Sequence, residues 1–182
     1  MRGAMIEDPH LLEERRRMGG DRWDEVWEGE LHMVPPPSGR HQWLGSKLIR
    51  VLGVAADVKG LEVAHEMGFF RASDDYRLPD LAFYRREQAS RRGLEAAAEL
   101  LVEIVSPGDE SRTKLPWYAA RDVREVLLID SVTLAVELYD CASGEPKRVE
   151  PARSSVLDCT FTRLDGDRLE VVTPAGAVVV SP

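Results

Sequence analysis

Apolar positions recur along the chain in three patterns, and each predicts a different kind of element. Residues 9 to 18, "PHLLEERRRM", carry few apolar side chains and read as a short polar helix ended by Gly19-Gly20. "WDEVWEGELHMV" spaces Trp23, Trp27, Leu31 and Val34 around Gly29, which fits a hairpin or a helix end running into a strand. After the break "PPPSGR", Leu44, Leu48, Val51, Leu52 and Ala55 recur at three- and four-residue intervals. That stripe predicts a helix from about 41 to 58 with one core-facing side and Ser38 as its cap.

Shorter apolar runs at 61–65, 68–72 and 78–84 predict strands, with "SDDYR" as a turn before the last. The polar stretch "RREQASRRGLEAAAE" reads as loop or short helix, and 100–105 as a buried strand. "SPGDES" breaks that strand, and a helix is expected from about 112 to 122, with Pro116 tolerated only in its first turn. "EVLLID" and "LAVELYD" follow as two strands close enough to form a hairpin, and a tail of short strands lies around Asp165-Gly166-Asp167 and Pro174-Ala175-Gly176. The order predicts a mixed α/β domain: a central sheet with helices beside it and a small C-terminal β extension. We divide it into a helical extension (1–24), the core (25–145) and the β extension of the same domain (146–182).

One position breaks the pattern. In Leu100-Leu101-Val102-Glu103-Ile104-Val105 both faces of the strand are apolar except at Glu103. Withdrawing a carboxylate from water costs several kcal/mol unless a cation or hydrogen-bond donors compensate it. A structural ion pair is one compensation. Asp80 offers another, because it stands alone among Leu78, Pro79, Leu81, Ala82 and Phe83, and Pro79 places it near a strand start or bulge. If the 78–84 and 100–105 strands are neighbours, two carboxylates converge. Their repulsion is relieved by a proton or by a hard divalent cation, which takes oxygen ligands. Lys114 lies eleven residues after Glu103, where it can reach back over the strand end.

Pro79-Asp80, Glu103 in its apolar strand before Ser106-Pro107, Lys114, Tyr118 and "VREVLLID", in that order and spacing, resemble the Uma2 family (domain of unknown function 820). These are restriction-endonuclease-like proteins of the PD-(D/E)xK nuclease superfamily. The match runs from about Trp27 to Asp140. It implies a restriction-endonuclease-like core, Mg²⁺ (or Mn²⁺) held by Asp80 and Glu103, and a lysine that positions or activates the attacking water. The superfamily's lysine stands two residues after the acid, where this chain has Val105, so Lys114 is the carry-over. Glu30 matches the family's Gly-Glu-Leu segment and is expected as a further acid of the site. His41 falls on the same segment's histidine.

Composition narrows the choice. A net charge of −8 lacks the basic footprint of a protein that holds nucleic acid through its phosphates, although a bound metal ion can supply positive charge at the scissile phosphate. The 182 residues, 43% of them hydrophobic and 31% charged, are ordinary for one globular domain. No apolar run is long enough to span a membrane, and the N-terminus has no apolar core of the signal-peptide kind. The two cysteines form no CxxC pair and are expected as free thiols, in keeping with a cytoplasmic setting. The four histidines show no HxxxH spacing, and there is no Gly-rich phosphate loop or GxSxG elbow. The expectation is a Mg²⁺-dependent endonuclease acting on nucleic acid, DNA foremost, in a homodimer. The rival is a catalytically silent module on the same fold.

Overall fold

The structure is a computed structural model, and it describes residues 9–181. The first eight residues of the expected helical extension lie outside the described residues. The elements are α1 (Pro9–Arg17), β1 (Glu25–Trp27), β2 (Glu30–His32), α2 (Gly39–Val58), β3 (Glu62–His65), β4 (Phe69–Ala72), β5 (Asp75–Arg77) and β6 (Leu81–Tyr84). They continue with β7 (Ala98–Val105), α3 (Leu115–Ala119), β8 (Val123–Asp130), β9 (Val136–Asp140), β10 (Lys147–Val149), β11 (Arg153–Ser154), β12 (Cys159–Leu164), β13 (Arg168–Thr173) and β14 (Gly176–Val180).

A six-stranded sheet in the order β10-β9-β8-β7-β6-β3 forms the centre, with β7 and β8 parallel and every other pair antiparallel. Strand alternation divides it into two cores. Leu100, Val102, Ile104, Leu127 and Ile129 face α2 and the C-terminal sheet β11-β12-β13-β14. Leu101, Val105, Val126 and Leu128 face Phe69, Leu115 and Tyr118, beneath α3 and a small sheet in the order β2-β1-β5-β4. The mixed α/β class with a restriction-endonuclease-like core is the architecture observed.

The stripe on α2 packs as its spacing requires, burying Leu44, Leu48, Leu52 and Ala55, and the Ser38 side chain accepts the His41 N–H. Residues 25–32 resolve as a hairpin. Two expectations change. The strand expected at 78–84 starts only at Leu81, and "SDDYR", expected as a turn, turns at Ser73-Asp74 alone, since Asp75–Arg77 is a strand paired with β1 and β4. Pro79 has no N–H to donate, and the Leu78 N–H is taken by the Glu25 carboxylate, so the chain leaves one sheet and enters the other here.

The helix expected at 112–122 is a 3₁₀ turn (Ser111–Lys114) followed by the five-residue α3, which ends at Ala119 with Ala120 as its C-cap; Asp122, just before β8, adopts a left-handed conformation (φ 53°). Lys114 stands at the N-cap of α3, at the start of the following helix as expected, and its side chain is buried against the hairpin and β7. The main sheet reaches residue 149 through β10, and the C-terminal sheet starts at Arg153.

A buried carboxylate–lysine cluster as the candidate active site

The register of the central sheet brings two of the expected acids to the same level. Leu81 pairs with Val102, so one step further along the antiparallel pair Asp80 stands opposite Glu103. Asp80 has already left the strand, and its Oδ2 accepts the Ile104 N–H at 2.6 Å, closing the ladder where Pro79 ended it. The same oxygen lies 3.2 Å from His41 Nε2, on the first turn of α2.

Glu103 lies on the α3 side of the sheet, with Asp80 near enough to act on its charge. It is 3% exposed, and its Oε1 accepts the Tyr118 hydroxyl and lies 3.2 Å from Lys114 Nζ. The ammonium is shared: Lys114 Nζ donates at 2.7 Å to Glu25 Oε1, which also accepts the Leu78 N–H at 2.7 Å. Glu25 Oε2 accepts the Trp27 indole N–H at 2.7 Å. The hairpin, the β5–β6 crossing, the β7 strand and the 3₁₀ turn therefore meet at one lysine.

Glu30 does not take part. It lies exposed on β2 across from Trp27, and the hairpin acid in the cluster is Glu25. Along the chain Glu25 only alternates with Trp27 on a short strand, a pattern that does not set it apart from Glu30; its partners come from segments distant in sequence. Tyr118, a core aromatic by spacing, also serves as a donor to Glu103. His41 proves to be the neighbour of Asp80.

Electrostatics follow from this crowding. Burial pushes the Glu103 carboxyl up, to about 8; the Lys114 charge opposes the rise, Asp80 and Glu25 add to it, and the Tyr118 hydroxyl opposes it. Burial works to lower the Lys114 ammonium, but Glu103, Glu25 and Asp80 outweigh it and hold the lysine above its ordinary range. Burial also raises the Tyr118 phenol, with Glu103 and Glu25 adding to it. His41 is raised as well, since its desolvation is more than offset by Asp80, and its Nδ1 is buried without a hydrogen-bond partner among the described residues. Three carboxyl groups face one ammonium, so negative charge is in excess.

Beside the cluster, Arg77 lies between the rings of Trp27 and Trp117, 4.5 Å from each centroid, and its Nη1 donates to Asp75 Oδ1 at 2.8 Å. Burial works to raise Asp75, but the donors Trp117 and Arg77 and the Glu28 N–H hold its carboxyl low. A rigid aromatic wall results next to the acids.

As to a metal, the donor set is of the right kind: hard carboxylate oxygens in excess of their counter-charge. No group of three His, Cys, Asp or Glu side chains is arranged to hold an ion among the described residues. The Lys114 ammonium stands between Glu25 and Glu103, and Asp80 is turned toward the ladder end.

Sheet, flanking helices and acid–acid–lysine cluster together define a nuclease-type fold of the restriction-endonuclease class. The chain belongs to the Uma2 family, whose description is "putative restriction endonuclease" and whose model matches residues 11–164. Membership places it among proteins that act on phosphodiester bonds. Among solved structures it is similar to a putative nuclease belonging to DUF820 from Anabaena variabilis, with a TM-score of 0.58 and 20% identity over 71% of this chain and 78% of that one. At that identity the likeness speaks for the fold. A DrdV–DNA complex also aligns, at a TM-score of 0.37 and 16% identity over 57% of this chain and 9% of that one, too loosely to carry an argument. No curated protein matches.

Proposed function

We propose that this chain is a divalent-metal-dependent endonuclease that hydrolyses nucleic-acid phosphodiester bonds, with DNA as the substrate and Mg²⁺ (or Mn²⁺) as the cofactor. The observation that carries the reading is the convergence of Glu25, Glu103 and Lys114 beside Asp80, in a family of nucleases. Asp80 and Glu103 would hold the ion, with Glu25 as the third carboxylate in place of the expected Glu30. A bound divalent ion supplies positive charge at the scissile phosphate and acidifies water.

The chain's own residues do the rest. Lys114 carries a fixed charge that stabilises negative charge developing on a phosphate oxygen and orients the attacking water. Tyr118 holds Glu103 in place, and the Ile104 N–H and His41 hold Asp80. The tryptophans flanking Arg77 keep the neighbouring wall stiff. Nucleases that cut both strands of a duplex commonly pair two such sites, so the reading includes a homodimer, read by sedimentation. Two free cysteines in separate cores accord with a cytoplasmic protein.

The test is incubation of purified protein with supercoiled plasmid and Mg²⁺ or Mn²⁺, beside Asp80→Ala and Lys114→Met. Nicking by the wild type and loss of it in both variants is the expected result. Equal nicking in all three samples, or none in any, overturns the reading. A second reading, a catalytically silent nuclease-fold module, draws on the ammonium seated between two of the acids and on the net charge of −8. A wild type that neither nicks DNA nor binds Mn²⁺ favours it.

A further inference from the structure

Away from the cluster, the C-terminal sheet ends in an open edge. The sheet order is β11-β12-β13-β14, so among the described residues β14 is bounded by β13 on one side only. Its residues Gly176, Ala177, Val178 and Val179 are all exposed, and only Val180 is buried. The strand has no charge, proline or bulge to blunt it, the devices by which proteins protect a free edge. Thr173 pairs with Gly176 across the two-residue turn Pro174-Ala175, which makes that pair a hydrogen-bonded one. By alternation Val178 and Val180 also bond to β13, and the N–H and C=O groups of Ala177 and Val179 point outward.

A groove of about 430 Å³ runs beside this edge, between β14 and the flank of α2. Val51, Val54 and Val178 give it an apolar floor, Lys47 and Arg50 line it from the helix, and no acidic side chain among the described residues lines it. This is unusual local charge on a chain of net charge −8. The helix direction is set by ion pairs at its ends, Arg40 with Asp167 and Lys59 with Asp158, so α2 runs antiparallel to β14. A second copy pairing edge to edge about Val178 would therefore bring the basic flanks of both helices to one rim without an acid between them. An acidic strand suits the groove better.

We propose that the β14 edge and the α2 groove form a docking site for an extended segment of a partner protein, one whose groove-facing side chains, every second residue, are apolar and acidic in turn. The segment adds a strand to the sheet through the outward groups of Ala177 and Val179. Its groove-facing apolar side chains meet Val51, Val54 and Val178, and its groove-facing carboxylates meet Lys47 and Arg50. The inference is independent of the nuclease reading.

The experiment uses the full chain and a fluorescein-labelled valine–glutamate peptide of repeating Val-Thr-Glu-Thr, which puts valine and glutamate on one face of a strand, read by anisotropy. A valine–lysine peptide and a proline-interrupted valine–glutamate peptide are the controls. Saturable binding of the valine–glutamate peptide alone, weakened by salt, is expected. Lys47→Glu with Arg50→Glu should weaken it by about tenfold or more, since each rim ion pair is worth up to about 1 kcal/mol. Ala177→Pro removes only an outward donor, so it should abolish binding and leave the unfolding midpoint near that of the wild type. If that variant fails to fold, the charge variants still decide. No binding, equal binding of the glutamate and lysine peptides, or indifference to the charge reversals overturns the proposal. So does a Val178→Cys protein that oxidises to a disulfide-linked dimer, since a second copy would then occupy the edge.

Discussion

Lys114 is the only cation in hydrogen-bond contact with both Glu25 and Glu103 among the described residues, and both acids are nearly fully buried. Removing one partner of a buried ion pair leaves the other charge uncompensated and costs about 3–5 kcal/mol. Lys114→Met should therefore destabilise the protein by about that much in urea unfolding. Glu103→Gln should cost less, because the wild-type carboxyl already favours its proton. The pH dependence has a definite sign. Glu103 is raised from 4.5 to about 8 in the folded chain, so between those values the native state holds a proton that the unfolded state has lost. Its contribution to stability is full below the lower value and is lost as pH rises through the upper one. In metal-free buffer, wild-type stability should fall relative to Glu103→Gln across that interval, as measured by unfolding at a series of pH values. The two thiols are simpler: burial pushes Cys141 and Cys159 up to about 11. Iodoacetamide at pH 8 should label them slowly in the native protein and quickly in urea.

Among the elements, regular periodicity was legible and interruptions were less so. The α2 stripe, the hairpin at 25–32, the buried β7 strand and the β8–β9 pair are all local patterns that the fold keeps. The 78–84 run differed because Pro79 has no N–H for the ladder and the Glu25 carboxylate takes the Leu78 N–H, a partner that no single-segment pattern reveals; the 112–122 segment is a 3₁₀ turn and a five-residue helix in place of one helix. The polar stretch 85–97 holds a further constraint of this kind. Gly93 adopts φ +144°, and a Cβ there would lie 2.3 Å from the Gly68 carbonyl oxygen, where Leu94 bonds to Gly68 and Phe70. Gly93→Ala should thus lower the unfolding free energy by more than about 1 kcal/mol, the ordinary scale of a backbone mismatch.

For the molecule as a whole, the C-terminal sheet is a structural layer rather than an appendage. Glu125 on β8 is buried and accepts hydrogen bonds from the Ser154 hydroxyl and from the Ser155 N–H and hydroxyl, tying that sheet to the centre. Val156, Leu157, Phe161, Leu169 and Val171 share one core with Leu48 and Leu52 of α2. Glu125→Ala should destabilise both sheets together by about 2–3 kcal/mol, as one unfolding transition, because several buried donors lose their acceptor. By itself the sequence determined the strand and helix periods, the mixed α/β class and the anomaly of Glu103, since each follows from neighbours along the chain. Tertiary structure alone decided that Glu25 rather than Glu30 joins the cluster and that Lys114 sits between two acids. It also decided that Asp80 turns to the ladder end. Those outcomes depend on which segments fold against one another, and the energy of a buried charge is set by partners distant in sequence.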